Sequence, residues 1–436
     1  MRPPDRLAAA APAAAGVGSR EQDDTKYAAA VAALPLMTPQ RLSVLLHERE
    51  ALKVWQELVE SRPCVRDALN SMRSFTAGHG RREPGDPRPR TQNAAEVAAK
   101  WAHAARAVDV EQSWLTLREG GVTVLRWGQE GYPSRLLSDH QPPEVIFFRG
   151  ELSVCEGPAA AIVGTRRATH YGTEVAAELG AGLAQAGVCV ISGLAAGIDT
   201  AAHEGALAAV APGSPGPAGI VGGGIDVYYP SRNRHLTDRV ASAGALASEA
   251  PLGASPEPWR FPLRNRIIAA LAQVVVVVES TRSGGAMHTV EAALVRGREV
   301  FAVPGSVRSL ASEGTNELLS AGAHVARDTG DVLVAIDQQC VAEGVARPRT
   351  GKTAGVAPGS RDDAAPQLLE RYVAIERLRG CSEVERQVYA ALDEHPRPID
   401  VVCQRSEASL GAAALALDQL MTIGLAEPTD GAWRRL

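Results

Sequence analysis

The sequence predicts an α/β chain: a doubly wound, mainly parallel sheet between a small helical N-terminal domain and a C-terminal winged-helix domain. Three observations predict it. Short apolar runs alternate with helical segments from about Tyr132 to Asp331, and most runs end in glycine-rich turns. At 436 residues the chain is longer than one core usually supports, which is about 250–300 residues. Two stretches poor in apolar residues, 76–93 and 337–367, read as linkers. The expected organisation is therefore a disordered tail over 1–24, a helical domain over 25–131, a sheet domain over 132–336 and a winged-helix domain over 368–436.

Each block has its own signals. In the first, Thr38-Pro39 reads as a helix start, a capping hydroxyl followed by proline in the first turn. Leu42, Leu45 and Leu46 share a face, Leu52, Trp55 and Val59 continue the spacing, and Val97, Trp101 and Val108 form another stripe. Thr123–Leu125 reads as a short strand entering the next block. Strands of the central block are expected at Ala161–Val163, Val188–Ile191, Gly219–Val221, Ala245–Ala247, Val274–Val278 and Val300–Val303, with helices between them. In the last block Val388, Val402 and Leu417 mark three helices. A hairpin follows around Thr429-Asp430-Gly431, the order of a winged helix-turn-helix.

Composition narrows the function. The 45 basic and 50 acidic residues leave a net charge of −5, which excludes a chain basic overall but allows a local basic groove. No apolar run approaches the ~20 residues of a membrane span, and the N-terminus lacks the apolar core of a secretory signal. A cytoplasmic location is expected. The six cysteines show no C-x-x-C pair, which fits reduced thiols and no zinc site. No cluster of carboxylates, His or Cys suggests a metal, and no cofactor or catalytic residue is expected. Gly351-Lys352-Thr353 resembles the end of a P-loop, but Ala346 stands where its first glycine belongs. Neither G-x-G-x-x-G nor G-x-S-x-G occurs.

In open α/β sheets ligands bind off the carboxyl ends of the strands. There the chain carries Gly164-Thr165-Arg166-Arg167, Ser192-Gly193, Gly222-Gly223-Gly224, Phe261-Pro262-Leu263-Arg264-Asn265-Arg266 and Arg282-Ser283-Gly284-Gly285. Glycine lets a backbone approach an anion, and arginine offers a planar pair of donors to phosphate. Arg166, Arg167, Arg232, Arg234, Arg264, Arg266 and Arg282 are expected to converge on one edge, with Phe261 and Tyr229 as stacking faces. Each element also has a structural reading. The glycines suit tight turns, Arg264 and Arg266 suit ion pairs with Glu249 or Glu279, and Phe261 suits a core. Asp199 and His203 stand one helical turn apart. Capping by Asp199 is favoured over an acid–base pair.

These motifs together resemble the DprA/Smf family of DNA-processing proteins. The matching segments are Ile162–Arg166, Ser192–Asp199 with His203, Phe261–Ile268, Ser283-Gly284, Gly297–Gly305 and Gly314-Thr315-Asn316. Tyr132-Pro133 and Phe148-Arg149-Gly150 match the approach to the domain. The resemblance implies a Rossmann-like domain that binds single-stranded DNA in a basic pocket and is not an enzyme. It further implies protection of incoming DNA, loading of the RecA recombinase during natural transformation, and a homodimer formed through the central domain. An N-terminal domain of sterile-alpha-motif or helix-hairpin-helix type and a winged helix occur in many members. Carried onto this chain, Arg166 and Phe261–Arg266 are the foremost DNA contacts, Arg167 stands beside them, and Gly164, Thr165, Ser192, Gly193, Ser283 and Gly284 supply backbone or hydroxyl contacts.

The chain departs from the family pattern at Pro212–Ala218, a loop insertion, and at Ala286-Met287-His288. Its third winged-domain helix has no Lys or Arg within Ala408–Met421, which argues against reading a major groove. Two other readings compete. A nucleoside-monophosphate phosphoribohydrolase would need a P-G-G-x-G-T-x-x-E turn, of which Ser283–Glu291 keeps only the glycine pair and the glutamate. A duplex-reading transcription regulator would need the cations that the third helix lacks.

Overall fold

The computed structural model describes residues 14–76, 93–348, 364–393, 395–429 and 432–436. The chain divides into two compact units, Met1–Asn316 with His324–Gly355, and Glu317–Ala323 with Val356–Leu436.

The first unit opens with helices α1 (Ala14–Ala32), α2 (Pro39–Leu46), α3 (Ala51–Val59), α4 (Pro63–Thr76), α5 (Ala94–Ala107) and α6 (Val110–Glu119). Thr38 caps α2 by accepting from the Arg41 amide at 3.3 Å, with Pro39 in the first turn. Leu42, Leu45 and Leu46 are buried beside Val54, Leu58 and Trp101. The indole N–H of Trp101 donates to the Pro35 carbonyl at 2.8 Å, so the one polar atom of a fully buried ring is satisfied. The expected tail over 1–24 is overturned from Ala14 onward, where α1 begins. Its end is tied down: Asp24 accepts the Ala51 amide at 2.6 Å and pairs with Arg126, while Lys26 pairs with Asp23 and Glu111. Alanine-rich composition reads as low complexity but also favours helix, and Ala28 and Val31 bury completely.

The sheet strands are β1 (Thr123–Arg126), β2 (Val145–Gly150), β3 (Ala159–Val163), β4 (Cys189–Ser192), β5 (Ala218–Ile220), β6 (Ala245–Ser248), β7 (Val274–Val277), β8 (Glu299–Ala302) and β9 (His324–Val325). They form a nine-stranded sheet in the order β1-β2-β6-β5-β4-β3-β7-β8-β9. β3 to β9 run parallel, whereas β1 and β2 join one edge antiparallel. β2 and β9 were not among the expected strands. The helices are α7 (Ser134–Leu137), α8 (His170–Gln185), α9 (Ile198–Ala209), α10 (Arg234–Ala243), α11 (Arg260–Leu271), α12 (Met287–Leu294), α13 (Glu313–Ala321) and α14 (Thr329–Glu343). The chain winds outward from β3 through β4, β5 and β6, then returns to β7 on the other side of β3. This reversal makes β3/β7 a topological switch point, where an open sheet leaves a crevice.

α14 corrects the expected linker at 337–367. Ile336 and Cys340 are fully buried, and Glu343 pairs with Arg135 and Arg298. The apolar stripe of α14 continues past the point where Pro and Gly begin to dominate. Residues 349–363, with Gly351-Lys352-Thr353, lie outside the described residues, as do 77–92 of the other linker.

The second unit contains α15 (Ala364–Arg379), α16 (Glu383–Ala391), α17 (Ile399–Ser406) and α18 (Leu410–Thr422), with β10 (Arg397–Pro398), β11 (Ala426–Thr429) and β12 (Ala432–Arg435) in the order β10-β12-β11. Ser382 and Glu385 form a reciprocal capping box at the start of α16. Val388, Val402, Leu417 and Leu420 are completely buried in its core. Leu410 and Leu415 of α18 are exposed.

Candidate nucleic-acid interface

The site is built around the turn after β3. Gly164 has no room for a side chain: a Cβ there would lie 2.5 Å from Ile198 Cγ1 and 2.8 Å from the Glu279 carbonyl oxygen. The Thr165 amide donates to that same carbonyl at 2.7 Å. The Glu279 carboxylate, buried at the end of β7, accepts from the Thr169 amide at 2.9 Å and the Thr169 hydroxyl at 2.5 Å. Thr169 in turn caps α8. The turn is thus clamped at both ends, and Arg166 and Arg167 between the clamps are exposed.

Arg166 faces a cleft of about 460 Å³. Its guanidinium lies 4.8 Å from the Phe261 ring centre and 5.9 Å from that of Tyr229. The two rings are 5.5 Å apart and tilted by 41°. Such distances suit cation–π attraction, which holds a flexible arginine in place without neutralising it. Gly164, Thr165, Asn265, Gly284 and Gly285 line the same cleft, with His288 and Thr289 from α12.

The floor is polar and buried. Arg264 donates through Nη1 to the Gly193 carbonyl at 2.8 Å and to the Ile220 carbonyl, and through Nε to Asn265 Oδ1 at 3.1 Å. Asn265 Nδ2 donates to the Gly285 carbonyl at 3.2 Å. Asp199 accepts from the amides of Gly193 at 3.1 Å and Ala195 at 3.4 Å, so it braces the turn before α9 and does not make the expected helix cap, whose place Gly197 takes without a side-chain bond. Burial lowers Arg264 to about 10, relieved by Asp199 and reinforced by Arg166. It keeps its charge at neutral pH. Burial likewise raises the Asp199 carboxyl, against the pull of Arg264. His203 is completely buried, and burial lowers it to about 4. The Ser192 backbone opposes that shift without making a hydrogen bond of normal geometry to either ring nitrogen.

The expected convergence of seven arginines is only partly met. Arg166 lines the cleft from its rim and Arg264 from its floor. Arg266 does not line it: it donates to the Glu249 carboxylate at 2.5 Å and to the Gln141 carbonyl at 2.9 Å. Arg232, Arg234 and Arg282 do not line it either, and Arg282 stands 4.0 Å from Glu313. Ser192 is fully buried and its hydroxyl donates to the Ile162 carbonyl at 2.6 Å, so it supports the turn from below. Gly193 is buried against Arg264, and Ser283 is exposed outside the cleft. Phe261 lines the cleft from α11 and serves as the arginine's platform. The clamping role of Glu279 was not foreseen. A glutamate ending an all-apolar strand, two positions before Thr281, was the only signal for it. The suggested pairing of Glu279 with Arg264 or Arg266 is replaced by the bonds to Thr169.

The family described as DNA recombination-mediator protein A matches residues 123–337. A Mycobacterium tuberculosis protein bearing the DprA name is 40% identical over 280 residues, 64% of this chain and 64% of its own length. The chain thus spans under two thirds of that relative. DNA processing protein DprA of Bacillus subtilis is 35% identical over 225 residues, 51% of this chain and 74% of the relative. The X-ray structure of DprA from Streptococcus pneumoniae superposes with a TM-score of 0.55 at 27% identity, covering 71% of this chain and 97% of that one. The sheet, the clamped turn and these likenesses agree: the chain belongs to the DprA/Smf family of DNA-processing proteins.

Proposed function

We propose that the chain binds single-stranded DNA in the cleft at β3/β7 and acts as a recombination mediator without catalysing a reaction. The observation that carries this reading is Arg166, held over Phe261 and Tyr229 at the rim of a glycine-walled cleft. A guanidinium beside two tilted rings offers one group for phosphate and two for bases, with no selection for sequence. The names of the relatives, DNA processing proteins, support the same class of ligand. Among the described residues no group of His, Cys, Asp or Glu is arranged to hold a metal ion, and no helix is long and apolar enough to cross a membrane.

The finer parts of the reading follow from the family. The chain protects incoming single strands, hands them to the RecA recombinase during natural transformation, works as a homodimer through the sheet domain, and resides in the cytoplasm. The second unit is a winged helix whose α18, lacking cations from Leu410 to Thr422, meets protein rather than duplex DNA. The hydrolase alternative is not favoured, because Glu291 does not line the cleft.

Fluorescence anisotropy with labelled oligothymidylate and with a duplex of equal length, across salt, tests the reading. Tighter single-strand binding that weakens steeply with salt supports it. Equal or tighter duplex binding, or release of free base from a nucleoside monophosphate, overturns it.

A further inference from the structure

The loop between β8 and α13 stands out from the rest of the surface. Val307 is 90% exposed, the highest value among the large apolar side chains described, and Leu310 is 72% exposed. Between them Arg308 is exposed and makes no ion pair among the described residues. The segment Pro304–Ser312 contains no acid.

This loop is braced. Asn316 holds Gly305 from both sides, accepting from its amide at 3.2 Å and donating to its carbonyl at 3.1 Å. The Ser306 hydroxyl accepts from the Arg308 amide at 3.3 Å, and the Ser306 carbonyl accepts from the Ser309 amide at 3.0 Å. The bracing holds Val307 and Leu310 out in water, where a partner can cover them.

The loop is also joined to the cleft. Tyr171, in the first turn of α8 just after Arg166 and Arg167, donates its hydroxyl to the Pro304 carbonyl at 3.0 Å. The Gly314 amide donates to the Ser280 carbonyl at 2.8 Å, tying the start of α13 to the turn after β7. The turns after β3, β7 and β8 therefore form one ridge, and two strand spacings of about 4.8 Å separate its ends. Along it the exposed cations run from Arg166 and Arg167 to Arg308.

We propose that this loop is a second contact for single-stranded DNA, in which Arg308 takes a phosphate and Val307 and Leu310 lie against the next bases. The inference rests on the cleft being the first contact. A strand leaving the Arg166 cleft across the carboxyl edge of the sheet passes the β7 turn, where Arg282 stands 4.0 Å from Glu313, and then meets the β8 loop. Leucine wedges set against unstacked bases are known from proteins that kink duplex DNA, and here the same kind of side chain stands beside a cation.

The test uses the full chain with oligothymidylates of about 6 and about 20 nucleotides, comparing wild type, Arg308→Ala, Leu310→Ser and Arg166→Ala. Each affinity is taken across salt, and each mass is measured by light scattering. Arg308→Ala and Leu310→Ser are expected to leave the short oligonucleotide unaffected and to weaken the long one about fivefold. Arg308→Ala should also flatten the salt slope of the long one by about 0.7, one phosphate contact on a single strand. Unchanged affinity for the long oligonucleotide overturns the second contact, while loss of binding in Arg166→Ala still upholds the cleft. A lower mass in Leu310→Ser with DNA binding retained also overturns it, assigning the loop to contact between copies. If Arg166→Ala binds both lengths normally, the reading of the cleft fails and the second contact fails with it.

Discussion

Arg264 Nη1 donates to the carbonyl of Gly193 at 2.8 Å, and a side chain on Gly193 would overlap that same guanidinium. One residue thus supplies an acceptor by its backbone and a space by its missing Cβ. Gly193→Ala should displace Arg264 and destabilise the protein by about 1–3 kcal/mol, the usual cost of overpacking. Urea unfolding of the two proteins measures it.

Arg166 and Arg264 should separate in their effects. Arg166 is exposed, so Arg166→Ala should leave the unfolding midpoint unchanged and weaken single-strand binding. Arg264→Ala strips two buried carbonyls and Asn265 of their donor and leaves Asp199 without its cation, which should cost about 3–5 kcal/mol. Thermal melts beside anisotropy distinguish the two.

Removing a platform ring should matter whatever the base. Phe261→Ala takes away the ring nearest Arg166 and should lose about 1–3 kcal/mol of binding, equally on thymidylate and adenylate oligonucleotides. A loss confined to one base would contradict stacking.

Arg266→Ala should behave unlike Arg166→Ala although both were expected in one groove. It leaves the largely buried Glu249 carboxylate unpaired, so the melt should fall while protein that remains folded binds single strands with unchanged affinity.

His203 makes stability depend on pH. Its ordinary value of 6.5 applies in the unfolded chain, and burial lowers the folded value to about 4. Between these the unfolded state binds more protons, so this contribution is complete above 6.5 and is lost as pH falls through 4. The full effect is roughly 3 kcal/mol. Denaturation midpoints of wild type and His203→Gln over that window should differ in slope, with the variant flatter.

The sheet was legible because its strands are buried on both faces and therefore read as unbroken apolar runs such as Val274–Val277. β2 escaped notice because it lies toward the antiparallel edge, outside the strand–helix alternation that revealed the others. The helix from Ala14 was hidden by a composition that suits both tail and helix, and its packing against β1 and α3 decides between them. The Arg166 turn was legible because two arginines between a glycine and a capping threonine have few structural uses. Arg264 and Arg266 were not separable from it, since an arginine that binds phosphate and one that binds carbonyls look alike in a sequence.

Sequence by itself determined the class of fold, the edge of the sheet where ligand chemistry gathers and the family. Those follow from periodicity and from short motifs, which are local properties. Tertiary structure alone decided which cations face solvent: Arg166 is set on two rings at the cleft rim, Arg264 is spent on the floor and Arg266 on Glu249. The physical reason is that a guanidinium's role depends on the acceptors around it, and those come from strands and turns far away in the chain.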